Sequence, residues 1–247
     1  MKGISKKVGF LSDIHFPYEH EKSVGMALDY LTDWKPDVIV LGGDIFDFYA
    51  ISRFNKNPAR RQTLQEEIDS AKWFIEEVDA IAKKVVFLEG NHEVRLRRTI
   101  ADQPSLYKLR ALELPKVLGL PAKWEVIENQ KGWMYGGVFW IHGDIKGVSD
   151  RVMYPAATLL RHIRTTFVCG HYHRPGVAYQ NDFEGLPDAG WVNGHLSDEA
   201  ASEEYITKPN WQRGFISAEV NEEWQMPEVT QHIIYGDRML SGGKVYQ

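Results

Sequence analysis

Five apolar runs in this 247-residue chain end in residues that can hold a metal ion or move a proton. Asp13 and His15 close "VGFLSDIH", and Gly43, Asp44 and Asp47 close "DVIVLGGDIFD". Asn91 and His92 follow "VVFLEG", His142 follows "VFWI", and His171 and His173 close "TFVCGHYH". In an extended chain, residues two apart point to the same side, so Asp13 with His15, and His171 with His173, can each chelate one ion. All the donors are oxygen or imidazole groups. Taken singly, each piece has a plain structural explanation: Asp-x-His after a strand is common, and Gly-Gly-Asp often marks a strand-to-loop turn. Gly-His-x-His is harder to dismiss, because two same-side histidines beside a glycine are costly to bury unpaired. Their recurrence at successive strand ends points to one shared centre.

The elements that must position these groups are readable from periodicity. The apolar runs are continuous rather than alternating, which suits strands covered on both faces. In open α/β sheets ligands bind beyond the carboxyl ends of such strands, so the donors should converge there. Residues 64–82 place Leu64, Ile68, Ala71, Ile75, Val78 and Ala82 on one face, with acidic residues early, predicting one long helix. Residues 22–34 carry a similar stripe at Val24, Leu28, Leu31 and Trp34, stopped by Pro36. Leucines between Pro104, Pro115 and Pro121 predict short helices over 99–125, read as a cap or lid. From residue 176 onward, "WVNGH", "GFISAEV" and "TQHIIY" predict further strands. With no internal repeat, a single domain over 1–247 is expected.

Composition narrows the class. Hydrophobic residues make up 43% and charged residues 26%, as in a soluble globular protein. A formal charge of −5 argues against non-specific coating of nucleic acid, which relies on excess lysine and arginine. The one cysteine, Cys169, excludes an intramolecular disulfide and a zinc site of several thiolates, so histidines and carboxylates must hold any metal. Lying within an apolar run, Cys169 reads as a small buried hydrophobe rather than a nucleophile. The N-terminus lacks the apolar stretch of a signal peptide and no run reaches membrane-span length, so a cytoplasmic protein without membrane contact is expected.

Asp13-x-His15, Gly43-Asp44-x-x-Asp47, Gly90-Asn91-His92-Glu93, His142-Gly143 and Gly170-His171-x-His173 together resemble the five motifs of the calcineurin-like metallophosphoesterases. They span residues 13–173, and the tail, with "NWQRGF" and "GGKVY", is similar to prokaryotic and phage members. The resemblance implies an α/β fold, a four-layer α/β/β/α sandwich with mixed sheets, carrying two divalent ions. Asp13, His15 and His173 would hold one ion, Asn91, His142 and His171 the other, and Asp44 would bridge them. Manganese or iron is expected, with zinc or nickel as alternatives. Attack by a metal-bridging hydroxide would need no serine or cysteine nucleophile. His92 would donate a proton to the leaving oxygen or stabilise the phosphoryl charge, oriented by Asp47.

The substrate is less legible. Arg53 and Arg95 are the candidate phosphate-binding residues among the arginines after the second and third motifs, since a guanidinium grips phosphate in a fork. Phe48, Tyr49 and Phe54 either stack on a substrate ring or pack the core. Asp144 stands where it would steer a histidine ligand, and Glu93 would fix its loop. The family's protein phosphatases carry arginine where this chain has Glu89, which disfavours that branch. The expected partner is a phosphorylated small molecule, a nucleotide or a nucleic acid, cut as a monoester or diester. Nuclease and cyclic nucleotide phosphodiesterase activities remain alternatives, as does an inactive metal-binding scaffold.

Overall fold

A computed structural model describes residues 5–58, 60–106, 108–182, 184–199, 209–221 and 223–247 of the chain. Among these residues the first sheet contains the parallel strands β1 (Lys6–Leu11), β2 (Val38–Leu41), β3 (Lys84–Leu88) and β4 (Glu125–Ile127). The second contains β5 (Trp133–Tyr135), β6 (Val138–Ile141), β7 (Phe167–Cys169), β8 (Gly176–Asn181) and β9 (Pro187–Val192), in the order β5-β6-β7-β9-β8. Here β6, β7 and β9 run parallel, and β5 and β8 close the edges antiparallel. The chain then returns to the first sheet through β10 (Gly214–Asn221) and β11 (Trp224–Ile233), both antiparallel to their neighbours, giving β11-β10-β1-β2-β3-β4. A final hairpin pairs β12 (Met239–Ser241) with β13 (Lys244–Tyr246).

Both faces of the central strands are buried, which is why their sequences read as unbroken apolar runs. Val8, Phe10, Val40 and Val86 of the first sheet meet Val138, Trp140 and Val168 of the second in a core between the sheets. The alternate residues Leu11, Ile39, Leu41 and Phe87 face helices α1 (Glu21–Trp34), α2 (Leu64–Ser70) and α3 (Lys72–Ile81), through Leu28, Leu31, Ile68, Phe74 and Val78. On the far side, Ile141, Phe167, Cys169 and Val192 pack with Leu159 and Leu160 of one later helix, Pro155–Ile163. These are the four layers α/β/β/α expected from the motifs. Cys169 is fully buried, as expected of a core residue.

Helix α1 ends where Pro36 requires, with Lys35 turning left-handed at φ 56°. The single helix expected over 64–82 is divided at Ala71. Ser70 Oγ donates to the Glu67 carbonyl at 2.7 Å, and Ala71 N reaches the Ile68 carbonyl at 3.3 Å, a turn one residue tighter than α. A serine hydroxyl that occupies a helix carbonyl competes with the regular ladder, and apolar periodicity does not register it. Short helical pieces do fill 99–125: α4 (Glu93–Ala101), turns at Pro104–Leu106 and Arg110–Leu112, and α5 (Leu114–Val117). Tyr107 lies outside the described residues. Leu114, Leu118, Leu120 and Trp124 bury themselves in the core beneath the helices of the first sheet.

One buried polar group in this core makes stability depend on pH. His232 of β11 packs against Tyr30 and Phe215, with ring centroids 4.3 and 4.5 Å away, and its Nε2 lies 2.7 Å from Ser217 Oγ. Burial lowers its pKa from 6.5 to about 4. Its contribution to stability is therefore present above pH 6.5 and is lost as pH falls towards 4, by roughly 3 kcal/mol in all. His232→Phe should flatten this dependence: melting temperatures compared at pH 7 and pH 4.5 should fall less in the variant than in the parent. An equal fall in both would contradict the account.

Candidate metal centre

The carboxyl ends of the two sheets meet, and the donors from five strand ends meet with them. Ligand atoms of Asp13, His15 and His173 all lie within 4.8 Å of one another, as do those of Asp44, His142 and His171, and those of His15, Asp44 and His92. Asn91 Oδ1 accepts from His142 Nε2 at 3.1 Å. All seven expected ligands and His92 are thus brought together.

The backbone is bent to do this. Asp13, His15, Asp44, His171 and His173 adopt left-handed φ values of 57°, 60°, 51°, 70° and 57°. Such conformations cost about 1–3 kcal/mol each in non-glycine residues and cluster where function demands a particular aim. Two glycines make room for the carboxylates. A Cβ on Gly90 would lie 2.2 Å from Asp44 Oδ1, and one on Gly170 would lie 2.4 Å from Asp13 Oδ2. These close approaches explain the glycine before Asn91 and the glycine before His171.

Glu93, expected only to fix its loop, binds two loops together. Its buried carboxylate accepts from the main-chain N–H groups of Asp44, Ile45, Phe46 and Gly90 at 2.8–3.1 Å. Burial and the nearby Asp44 carboxylate push its pKa up to about 7, while these donors oppose the rise.

Asp47 serves two histidines by different atoms. Its main-chain carbonyl accepts from His92 Nδ1 at 2.8 Å, and its carboxylate lies 3.2 Å from His15 Nδ1 and 3.4 Å from His92 Nδ1. Both the backbone and the carboxylate of Asp47 thus reach His92 Nδ1, and the shorter contact is made by the backbone. Arg95, one helical turn on from His92, donates to the same carbonyl at 2.9 Å and to His92 Nε2 at 3.0 Å.

The donor set fits divalent ions. His15 Nε2 and His173 Nδ1 are buried without a hydrogen-bond partner among the described residues, a costly state for ring nitrogens unless something else is coordinated there. Burial alone would raise Asp13, but His173 beside it brings it down to about 2, and burial lowers His173 to about 4. An ionised carboxylate beside a neutral imidazole is the form in which both can ligate. Against burial, His142 and His92 hold Asp44 well below the usual carboxylate range. Asp44 in turn raises His142 well above the usual histidine range although burial opposes it. His142 Nδ1 donates to the Gly42 carbonyl at 2.8 Å, so a metal-bound His142 would have to give up its Nε2 proton.

These groups open onto a cleft of about 430 Å³. Arg95 lines it, but the other expected phosphate ligand, Arg53, does not: it is exposed and pairs with Asp102 at 2.9 Å. Arg60 takes a place on the lining instead. Phe48 is fully buried and stacks on Phe46, so it is core, whereas Tyr49 and Phe54 line the cleft. Asp144 does not steer a histidine: both its carboxylate oxygens accept from Asn129 Nδ2, at 3.0 and 3.1 Å. That role falls to Asp150, whose Oδ1 accepts from His171 Nε2 at 3.0 Å. No described residue of 99–125 lines the cleft. Sequence reasoning missed Tyr18, Asp150, Asp198, His195 and Trp211; His195 is buried and stacks on His173 at 5.0 Å, and the other four line the cleft. Only the aromatic text of "NWQRGF" hinted at any of them.

Residues 6–199 match the profile of the calcineurin-like phosphoesterases. The chain is 23% identical to the Gene 54 proteins of Mycobacterium phage L5 and Mycobacterium phage D29, over 261 aligned residues that cover 99% of this chain and 100% of each relative. Among solved structures, Vacuolar Protein Sorting 29 from Cryptosporidium parvum aligns with a TM-score of 0.50 at 14% identity, covering 98% of this chain and 94% of that one. At that identity the likeness is one of fold. Among the described residues no helix is long and apolar enough to cross a membrane.

Proposed function

Because this chain belongs to the calcineurin-like phosphoesterase family, we propose that it hydrolyses phosphate monoesters or diesters with two divalent ions in the cleft. Asp13, His15 and His173 would hold one ion, Asn91, His142 and His171 the other, with Asp44 shared between them. The observation that carries this reading is the pair of donor clusters, one at Asp13 and one at Asp44, with the partnerless Nε2 of buried His15 between its own carboxylate neighbours. When bound, such ions bring the pKa of a water towards neutrality and offset charge on phosphoryl oxygens. Manganese or iron is our preferred pair, with zinc or nickel suited to the same donors.

The chain supplies the rest. His92 is held by its Nδ1 proton on the Asp47 carbonyl, so its Nε2 is the atom offered to substrate. Against burial, the Asp44 and Asp47 carboxylates raise its pKa, so once Nε2 is released by Arg95 it would take up a proton more readily and could pass it to the leaving ester oxygen. Arg95, anchored beside it, would take the phosphoryl oxygens in exchange for its contact with His92.

The test is hydrolysis of p-nitrophenyl phosphate and of bis-p-nitrophenyl phosphate by metal-stripped protein reloaded with manganese, iron, zinc or nickel. Turnover that appears only on reloading is the expected result, and the faster substrate assigns the monoester or diester class. No turnover of either ester with any ion would overturn the reading in favour of a binding scaffold.

A further inference from the structure

The cleft that gathers the metal donors is also walled by aromatic rings, and we infer that these rings form a subsite for the base of a mononucleotide ester. The inference rests on the esterase reading above and names its substrate class. Trp211 stands edge-on to His173, with centroids 4.5 Å apart and planes at 70°, which sets an indole directly beside the donor cluster. Across the lining, Tyr18 and Tyr49 meet edge to face at 6.3 Å, and the Arg60 guanidinium lies over both rings at 4.7 and 5.1 Å. Phe54 keeps 65% of its surface exposed while lining the same cleft. An exposed phenyl on an open surface needs no explanation, but one on a concave wall whose lining also holds an indole and a guanidinium stacked on two phenol rings is an arrangement suited to a planar ligand.

The other walls restrict that ligand further. A sugar phosphate offers Phe54 and Trp211 only a C–H face, whereas a base offers a flat π-face, and one base stacked on an aromatic side chain is worth about 5- to 150-fold in affinity. The carboxylate of Asp150 is on the same lining, and beyond its contact with His171 it keeps an oxygen that can accept from amino and hydroxyl groups of a nucleoside, which a phosphotyrosine ring lacks. The formal charge of −5 disfavours the further phosphates of a strand. A cleft of about 430 Å³ suits one nucleotide.

The test uses ligand-observed NMR titration of the full chain without added metal, with adenosine, ribose, N-acetyltyrosine amide and a 20-nucleotide thymidine strand as probes. Adenosine is expected to bind at least about tenfold more tightly than ribose or the tyrosine amide. Phe54→Ala, an exposed position whose change spares the core, should collapse that preference, and Trp211→Ala should act in the same direction. Equal binding of adenosine and ribose, or a preference untouched by both variants, would overturn the subsite. Tighter binding of the tyrosine amide would assign a phosphopeptide instead, and tighter binding of the strand a nucleic acid; either would overturn the inference. None of these readouts needs turnover, so an inactive esterase and an absent base subsite give different results.

Discussion

Asp44→Asn is expected to remove paired metal binding and turnover together. Its carboxylate is almost wholly buried, with Oδ1 accepting from His92 N at 2.8 Å and Oδ2 lying 3.4 Å from His142 Nε2 and 3.8 Å from His92 Nε2. Asparagine has one acceptor oxygen for these duties. If that oxygen serves His92 N, the amide N–H₂ faces the imidazoles, and the carboxylate charge proposed to be shared by the two ions is gone. Gly90 lies close enough that even a methyl group there would meet Asp44 Oδ1 at 2.2 Å, so a rotated side chain has little room on that side. Loss of a partner that merely orients a ligand costs metal affinity about 10- to 100-fold, so loss of the shared ligand should exceed about 100-fold. Elemental analysis after dialysis should find two ions per parent chain and fewer in the variant, with activity falling in step. Full loading and full activity in Asp44→Asn would remove the bridging role.

What the sequence disclosed, and what it hid, follows from how local each constraint is. The five strand ends were legible because strands buried on both faces must be apolar throughout, and the polar residues that end them have few reasons to be there except chemistry. The glycines at 90 and 170 were legible as members of the motifs, but their tight approach to Asp44 and Asp13 joins residues far apart in the chain. Arginine positions show the same limit. Arg95 lies three residues after His92, so helix α4 puts both on one face. Arg53 sits in a loop that carries it outward to Asp102. Asp144 was singled out for being next to Gly143, yet Gly143, at φ 121°, belongs to a turn after which Asp144 meets Asn129. The carboxylate that does reach a histidine is Asp150, 21 residues away from His171 in sequence. Trp211 joins the site only because the chain returns to the first sheet after building the second, a long-range event with no spacing rule.

His92→Ala and Asp47→Asn should separate chemistry from metal retention. His92 is beside the donors, and alanine there removes the acid without removing an assigned ligand, so both ions should stay bound while kcat falls about 10²- to 10⁴-fold. Asp47→Asn should show the reverse balance. The main-chain carbonyl that accepts from His92 Nδ1 at 2.8 Å survives the substitution, whereas the carboxylate 3.2 Å from His15 Nδ1 does not. A carboxylate that fixes a ligating imidazole is worth about 10- to 100-fold in metal affinity, and that is the expected loss, with much of kcat recovered at saturating metal. The residual effect on His92 has a definite sign. Against burial, Asp47 helps raise the His92 pKa, so its neutralisation lowers that pKa, and the alkaline limb of the kcat profile should move to lower pH in the variant. If Asp47→Asn instead slows saturated turnover as much as His92→Ala while metal affinity is unchanged, the carboxylate acts on His92 and the backbone carbonyl alone does not hold it.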